Sequence, residues 1–162
     1  MVANKIQDSV EITCWDRRYR NDFIRLNREW IERFFCMEES DLKILSDPEG
    51  EIIDKGGEIF LALSHGKVVG CCALVYHPDT GRYELAKMAV SPAEQGKGVG
   101  FLLGSTLLEY AEKHGVTDIF LEANTQLAAS VRLYHKLGFR KVEAKNPTYN
   151  RCNLYMEKIL EH

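Results

Sequence analysis

The segment Gln95-Gly96-Lys97-Gly98-Val99-Gly100 has the residue types and spacing that point most directly to chemistry. Its glycines let the backbone reach positive φ and approach a ligand closely. An apolar stripe at helical spacing follows (Val99, Leu102, Leu103, Leu107, Tyr110 and Ala111), so the loop opens a helix. Free N–H groups at a helix start, together with the helix dipole, favour an anion. A pyrophosphate is the natural guest, and Lys97 adds a positive charge. A tight strand-to-helix turn with no ligand is the competing reading. Two familiar phosphate loops fail here. A P-loop needs Ser or Thr after its Gly-Lys pair, and Lys97 is followed by Gly98. A Rossmann fingerprint needs G-x-G-x-x-G, and Gly98-Val99-Gly100 is followed by Phe101, Leu102 and Leu103.

The elements that position this loop follow from periodicity. Residues 1–9 read as a flexible terminus, and residues 10–162 as a single domain. Val10, Ile12 and Cys14 alternate with polar residues, as in a short strand. Phe23, Leu26, Trp30 and Phe34 recur at helical spacing, which predicts an amphipathic helix over 17–36 with these residues first of all in the core. A second short helix covers 39–46 and ends before Pro48. Segments 58–64 and 67–77 make a hairpin around His65-Gly66, and 83–90 adds a third strand. Gly115 ends the helix after the glycine loop, and 118–123 reads as a buried strand. Asn124-Thr125 is the expected cap of the next helix, which carries Leu127, Val131 and Tyr134 on one face and ends at Gly138. Segments 139–144 and 151–160 close the chain as strands around a loop with Pro147. The order β-α-α-β-β-β-α-β-α-β-β predicts an α/β sandwich with one mixed sheet.

Composition narrows the function classes. The 162 residues carry 21 Lys plus Arg against 24 Asp plus Glu, a net charge of −3, with 45% hydrophobic residues. That apolar share excludes disorder as the main state. The charge balance does not suggest a nucleic-acid grip, because Arg17, Arg18, Arg20, Arg25, Arg28 and Arg33 are interspersed with acids. No run of about 18 apolar residues predicts a membrane span, and the first residues lack a secretion signal's apolar run. The five cysteines (Cys14, Cys36, Cys71, Cys72 and Cys152) are odd in number and form no C-x-x-C pair. They read as reduced thiols of a cytoplasmic protein, mostly small core hydrophobes, and no metal site is expected.

The loop that does fit is Q-x-x-G-x-G, and with it the sequence resembles the GNAT superfamily of N-acetyltransferases from about residue 10 to 160. LYHKLGF (133–139) resembles the family's helix ending in Tyr-x-x-x-Gly-Phe, and ELAKMAVSP (84–92) the strand that leads into the loop. The stretch also resembles the acetyltransferase half of fusions between MarR-type and GNAT domains. The resemblance implies an acyl-CoA N-acyltransferase fold: a mixed central sheet of six to seven strands, flanked by about four helices, with splayed central strands. It implies acetyl-CoA as cosubstrate, with Gln95, Gly96, Lys97, Gly98, Val99 and Gly100 on the pyrophosphate. Dimers are common in the family, so a homodimer is an expectation by analogy.

The resemblance also assigns roles in the reaction, attack of an amine on a thioester. Glu84, eleven places before Gln95, matches the position of a glutamate base; a solvated or ion-paired strand glutamate is the alternative. The backbone N–H near Met88 matches the donor to the oxyanion. Ala89 and Val90 lie where the pantetheine arm runs, with the Val90 amide and carbonyl holding it like an added strand. Tyr134 matches the family's general acid, with simple packing as the alternative. Asn124 and Lys136 match CoA contacts, against an N-cap and a solvated lysine.

In this fold the first two helices and the last interstrand loop wall the acceptor site, here roughly 26–40 and 145–153. Trp30, Phe34 and Tyr149 are candidate wall residues, and Arg151 is a candidate to grip an acceptor carboxylate, against an ordinary surface arginine. The expected activity is transfer of acetyl to a primary amine of a small molecule or amino-acid-like acceptor, in a ternary complex and without a metal. The alternatives are a protein lysine or N-terminal acetyltransferase, and an acyl-CoA-binding regulatory module without turnover. Neither nucleic acid nor membrane is an expected partner.

Overall fold

Apolar alternation after residue 10 forms β1 (Glu11–Cys14). The computed structural model describes residues 10–143 and 146–160, so the expectations for 1–9, 144, 145, 161 and 162 lie outside the described residues. A 3-10 turn at Arg17–Tyr19 precedes α1 (Arg20–Phe34), which starts later than expected because Asp16 caps the turn by accepting the Arg18 N–H. Then α2 (Glu39–Ser46) matches its predicted span and carries a capping box between Glu38 and Asp41. A π-helical turn at Glu49–Ile53 is a feature the sequence pattern does not announce. The meander consists of β2 (Glu58–Ser64), β3 (Lys67–His77) and β4 (Arg82–Val90). Next come α3 (Val99–Lys113), β5 (Asp118–Ala123), α4 (Ala128–Lys136), β6 (Arg140–Val142) and β7 (Leu154–Ile159).

Further expectations need correction. The closing strands are shorter than their apolar runs. Asn124 and Thr125 do not cap α4, whose N-cap position is Leu127. The Asn124 side chain instead accepts the Gln126 N–H and donates to the Arg151 carbonyl, tying the end of β5 to the last interstrand loop.

The strands form one mixed sheet in the order β1-β2-β3-β4-β5-β7-β6. All neighbours are antiparallel except β4 and β5, which are parallel and joined by the crossover through α3. Phe23 and Leu26 of α1 and Leu45 of α2 pack with Ile59, Leu61 and Ala73 on one face. Leu103 and Leu107 of α3 pack with Leu137, Phe60, Leu74 and Leu121 on the other. Close approach on that face needs glycine: a Cβ on Gly70 of β3 would lie 3.1 Å from Leu103 and 3.2 Å from Val99. Phe34, the last residue of α1, departs from its core expectation and is 42% exposed.

All five cysteines are free. Cys71 and Cys72 are core residues, whereas Cys14 and Cys36 are exposed. Burial pushes the Cys71 thiol up to about 12, far from a reactive thiolate. Among the described residues no helix is long and apolar enough to cross a membrane, and no group of His, Cys, Asp and Glu is placed to hold a metal ion.

Candidate active site

The parallel pair is joined only at Tyr83–Ile119 and Glu84–Phe120. Past that point β4 runs on to Val90 and β5 to Ala123 without register partners between them. The gap is a cleft of about 660 Å³. It is lined by β4 from Glu84 to Val90, by the glycine loop, by Leu133 and Tyr134 of α4, and at its far end by Trp30, Tyr149 and Arg151. The open edge of β4 gives an extended ligand a backbone to pair with.

At one end stands the glycine loop. Gly96 and Gly98 have φ of +81° and +84°, and a Cβ on either would meet nothing within 4 Å. Gly98 is the N-cap position of α3, with no side chain capping the helix. The space and the helix start together suit an anionic group. Gly100 differs: a Cβ there would lie 3.0 Å from Leu133, so this glycine lets α3 approach α4. The Gln95 side-chain amide donates to the Val90 carbonyl at 3.1 Å and pins the loop to the strand end. Lys97 is exposed, pairs with Glu94 at 3.7 Å and does not line the cleft. Lys136 does line it, with Nζ 4.8 Å from the Phe101 ring centre.

Glu84 sits at the vertex where the two strands part and is only 5% exposed. His77 Nε2 lies 2.8 Å from its Oε1. Across the gap Glu122 accepts the backbone N–H groups of Thr148 and Tyr149. Burial lifts the Glu122 carboxyl above its ordinary value in spite of those bonds, and the Glu84 charge adds to the lift.

A β-bulge shapes the next stretch of β4. Cys71 pairs with Ala89 and Ala73 with Ala86, so Lys87 and Met88 together oppose Cys72. Lys87 has φ +56°, a conformation that costs a non-glycine residue on the order of 1–3 kcal/mol. Its ammonium is buried, ion-paired to Asp41 of α2 and 3.2 Å from the Tyr149 hydroxyl. Burial pulls Lys87 below the ordinary lysine value although Asp41 opposes the shift. Arg151 grips the same carboxylate with both terminal nitrogens at 2.7 Å and stacks 4.2 Å from the Tyr149 ring centre. Burial alone would raise the Asp41 carboxyl, but Arg151 and Lys87 outweigh it and hold the group at about 2.

Tyr134 lines the cleft with its ring edge-on to Phe139. Burial pushes its hydroxyl upward, so it keeps its proton at neutral pH. Cys152 also lines the cleft, and burial, reinforced by Glu122, raises its thiol.

One cleft therefore holds Glu84, Met88, Ala89, Val90, Gln95, Gly96, Gly98, Val99, Gly100, Asn124, Tyr134 and Lys136, with Trp30, Phe34, Tyr149 and Arg151 lining it as well. Of the residues singled out in the sequence, Lys97 stands apart from it. Arg151 is not free to take a substrate carboxylate in the manner expected, because its fork is closed on Asp41. Sequence reading missed Asp41, Glu122, His77 and Lys87. Only Lys87 left a signal, as a charge inside the apolar run ELAKMAV of a central strand, which demands a buried partner.

Residues 18–139 match the model of the Acetyltransferase (GNAT) family. The chain is 32% identical to an uncharacterized N-acetyltransferase of Schizosaccharomyces pombe over 85% of its own length and 87% of the relative's. It is 36% identical to N-acetyltransferase 8B of Rattus norvegicus over 54% of its length, and that match spans only 41% of the rat protein. It superposes on a Salmonella typhimurium protein solved with acetyl-CoA as its cofactor, with a TM-score of 0.75, 22% identity and 95% of each chain covered. The family match spans the meander, the glycine loop and the three helices that line the cleft, and the chain belongs to the GNAT family of acetyltransferases.

Proposed function

We propose that residues 10–162 act as one N-acetyltransferase domain in the cytoplasm, moving acetyl from acetyl-CoA to a primary amine of a small, amino-acid-like acceptor. The observation that carries this reading is the vertex: a buried carboxylate, Glu84, at the fork of the splayed strands, in the same cleft as an uncapped helix start. Family membership and the acetyl-CoA held by the Salmonella fold-mate support the choice of acetyl donor.

The residues present fit that donor. Gly96, Gly98 and the start of α3 offer backbone N–H groups and open space for a pyrophosphate, and Lys136 stands beside them as a cation. The free edge of β4 at Ala89 and Val90 offers the ladder groups for the pantetheine arm, with Asn124 across the gap. Acetyl-CoA supplies an activated acetyl thioester. The acceptor arrives as an ammonium, since a free amine titrates near about 10.4. Glu84 takes its proton and leaves a nucleophile. The Met88 N–H, turned by the bulge, donates to the acetyl oxygen. Tyr134 lines the same cleft with its hydroxyl protonated, and would give that proton to the sulfur as the thioester C–S bond breaks.

The acceptor end supports a small substrate. Trp30, Phe34 and Tyr149 wall it, and carboxylates hold the loop at 148–151 down beside it. A thiol-release assay with acetyl-CoA and a panel of amines, amino acids and peptides tests the reading, with turnover expected on small amines. Glu84→Gln is expected to cut kcat by about 10²–10⁴-fold with acetyl-CoA affinity unchanged. A thermal shift by acetyl-CoA reports binding separately. No shift at high concentration would sink the proposal. A shift with no thiol released by any amine would leave an acyl-CoA-binding module, and turnover on peptides alone would move the acceptor to protein.

A further inference from the structure

His77 is a residue that neither the motif nor the reaction scheme above uses. It ends β3, where its register partner is Arg82, while Glu84 faces Val75. His77 and Glu84 are therefore diagonal neighbours on one face of an antiparallel pair, within reach of long side chains. The Nε2–Oε1 distance is 2.8 Å, with the histidine side chain 30% and the glutamate 7% exposed. The ring lies 5.6 Å from that of Phe120, the β5 residue that makes the last pair with Glu84 before the strands part. The imidazole thus touches both the carboxylate and an aromatic ring beside the vertex.

We propose that His77 is a positioning residue for proton removal. Its Nε2–H holds Glu84 Oε1, leaves Oε2 to the acceptor amine, and sets the pH range over which the base works. The proposal rests on the reading of Glu84 as base. In the step, one N–H bond of the ammonium breaks, one O–H bond forms on Oε2, and His77 is unchanged.

The surroundings are consistent with a coupled pair. The hydrogen bond to Glu84 holds the His77 ring above its ordinary value despite burial, and the charges of Glu84, Asp79 and Glu122 push the same way. Asp79 lies in the turn after β3 and Glu122 on β5. Arg82 on β4, with its guanidinium 4.7 Å from the Phe120 ring centre, is tied to Asp118 and Glu157. Glu84 is itself faced by Lys87 on β4, Glu122 on β5, Tyr149 in the last loop and Tyr155 on β7.

The test uses the full chain as His77→Gln, His77→Ala and Glu84→Gln. It measures the pH profile of kcat/KM for the acceptor, the acetyl-CoA affinity and the NMR titration of the His77 ring. His77→Gln keeps a donor and loses the cation, so the acid limb is expected about 1 pH unit higher, with the plateau rate near wild type. His77→Ala loses the donor too, and its plateau is expected about 10- to 100-fold lower. Acetyl-CoA affinity is expected to hold in both. Glu84→Gln is expected to bring the ring titration down towards the ordinary histidine value. An acid limb unmoved in a folded His77→Gln, or a ring titration unmoved in a turnover-deficient Glu84→Gln, would overturn this proposal alone. Full turnover by Glu84→Gln would instead remove the base assignment beneath it.

Discussion

Gly98 and Gly100 stand two places apart and serve different ends. Gly98 has φ +84° and open space where its side chain would be, so its backbone conformation is the constraint. Gly100 sits under Leu133 and has no such φ, so packing is its constraint. Substitution by alanine separates them. Gly98→Ala forces a β-carbon into the left-handed region, at a cost of about 1–2 kcal/mol, or shifts the loop to avoid it. Either response disturbs the N–H groups at the start of α3, so acetyl-CoA affinity is expected to fall about tenfold by calorimetry. Gly100→Ala pushes on the flexible end of Leu133, so it is expected to lower thermal stability by about 1 kcal/mol and leave affinity within about twofold. Equal losses of affinity in the two variants would contradict this division of labour.

Among elements, the start of α2 and the last interstrand loop act as a unit. Glu38 accepts the N–H groups of Asn150 and Arg151, and Glu122 accepts those of Thr148 and Tyr149. Two carboxylates from different elements thus hold four consecutive backbone amides. Glu38→Ala removes one of these carboxylates together with half of the α2 capping box. Its expected signature is a rise of about 10-fold in the acceptor KM with the acetyl-CoA KM unchanged, read by steady-state kinetics. A matched rise in both constants would mean that the loop does not belong to the acceptor end. None of this was legible in the sequence, although the elements themselves were. The spans 39–46, 58–64, 67–77 and 118–123 follow from period-2 and period-3.6 patterns and their breakers, which are local. The glycine loop was legible for the same reason, since positive φ at a helix start leaves a mark on residue type. The Glu38 clamp, the Glu122 clamp and the Asp41–Lys87–Arg151 group join residues 26–113 places apart. Pairing over such distances leaves no periodic trace. Asn124 is the instructive failure. Its type suits an N-cap, but a local bond from the Gln126 N–H and a tertiary one to the Arg151 carbonyl claim the side chain instead.

At the scale of the whole molecule, Asp41 fastens three distant pieces: α2, the bulge of β4 and the last loop. It is fully buried, its partner Lys87 is nearly so, and Arg151 is partly buried. Breaking such a group from one side strands charge in the interior, so Asp41→Asn is expected to cost about 3–5 kcal/mol at neutral pH. The dependence on pH distinguishes the ionised carboxylate from a mere loss of shape. The native carboxyl is held at about 2, below the ordinary 3.8. The stability it confers is fully present above the ordinary value and is lost as pH falls through about 2. Glu122 works in the opposite sense: its raised carboxyl disfavours the folded state once ionised, and acid relieves that cost first. His77 acts at the other end of the range, with a raised ring whose contribution is full below the ordinary histidine value and is lost as pH rises past the native one. Urea unfolding of wild type and Asp41→Asn from pH 7 to pH 2 isolates the first of these, because both proteins share Glu122 and His77. The stability gap between them is expected to hold from pH 7 down to about 4 and then to shrink by on the order of 2 kcal/mol towards pH 2. A gap that stayed constant to pH 2 would mean that Asp41 contributes by shape and hydrogen bonding rather than as the anion between two cations.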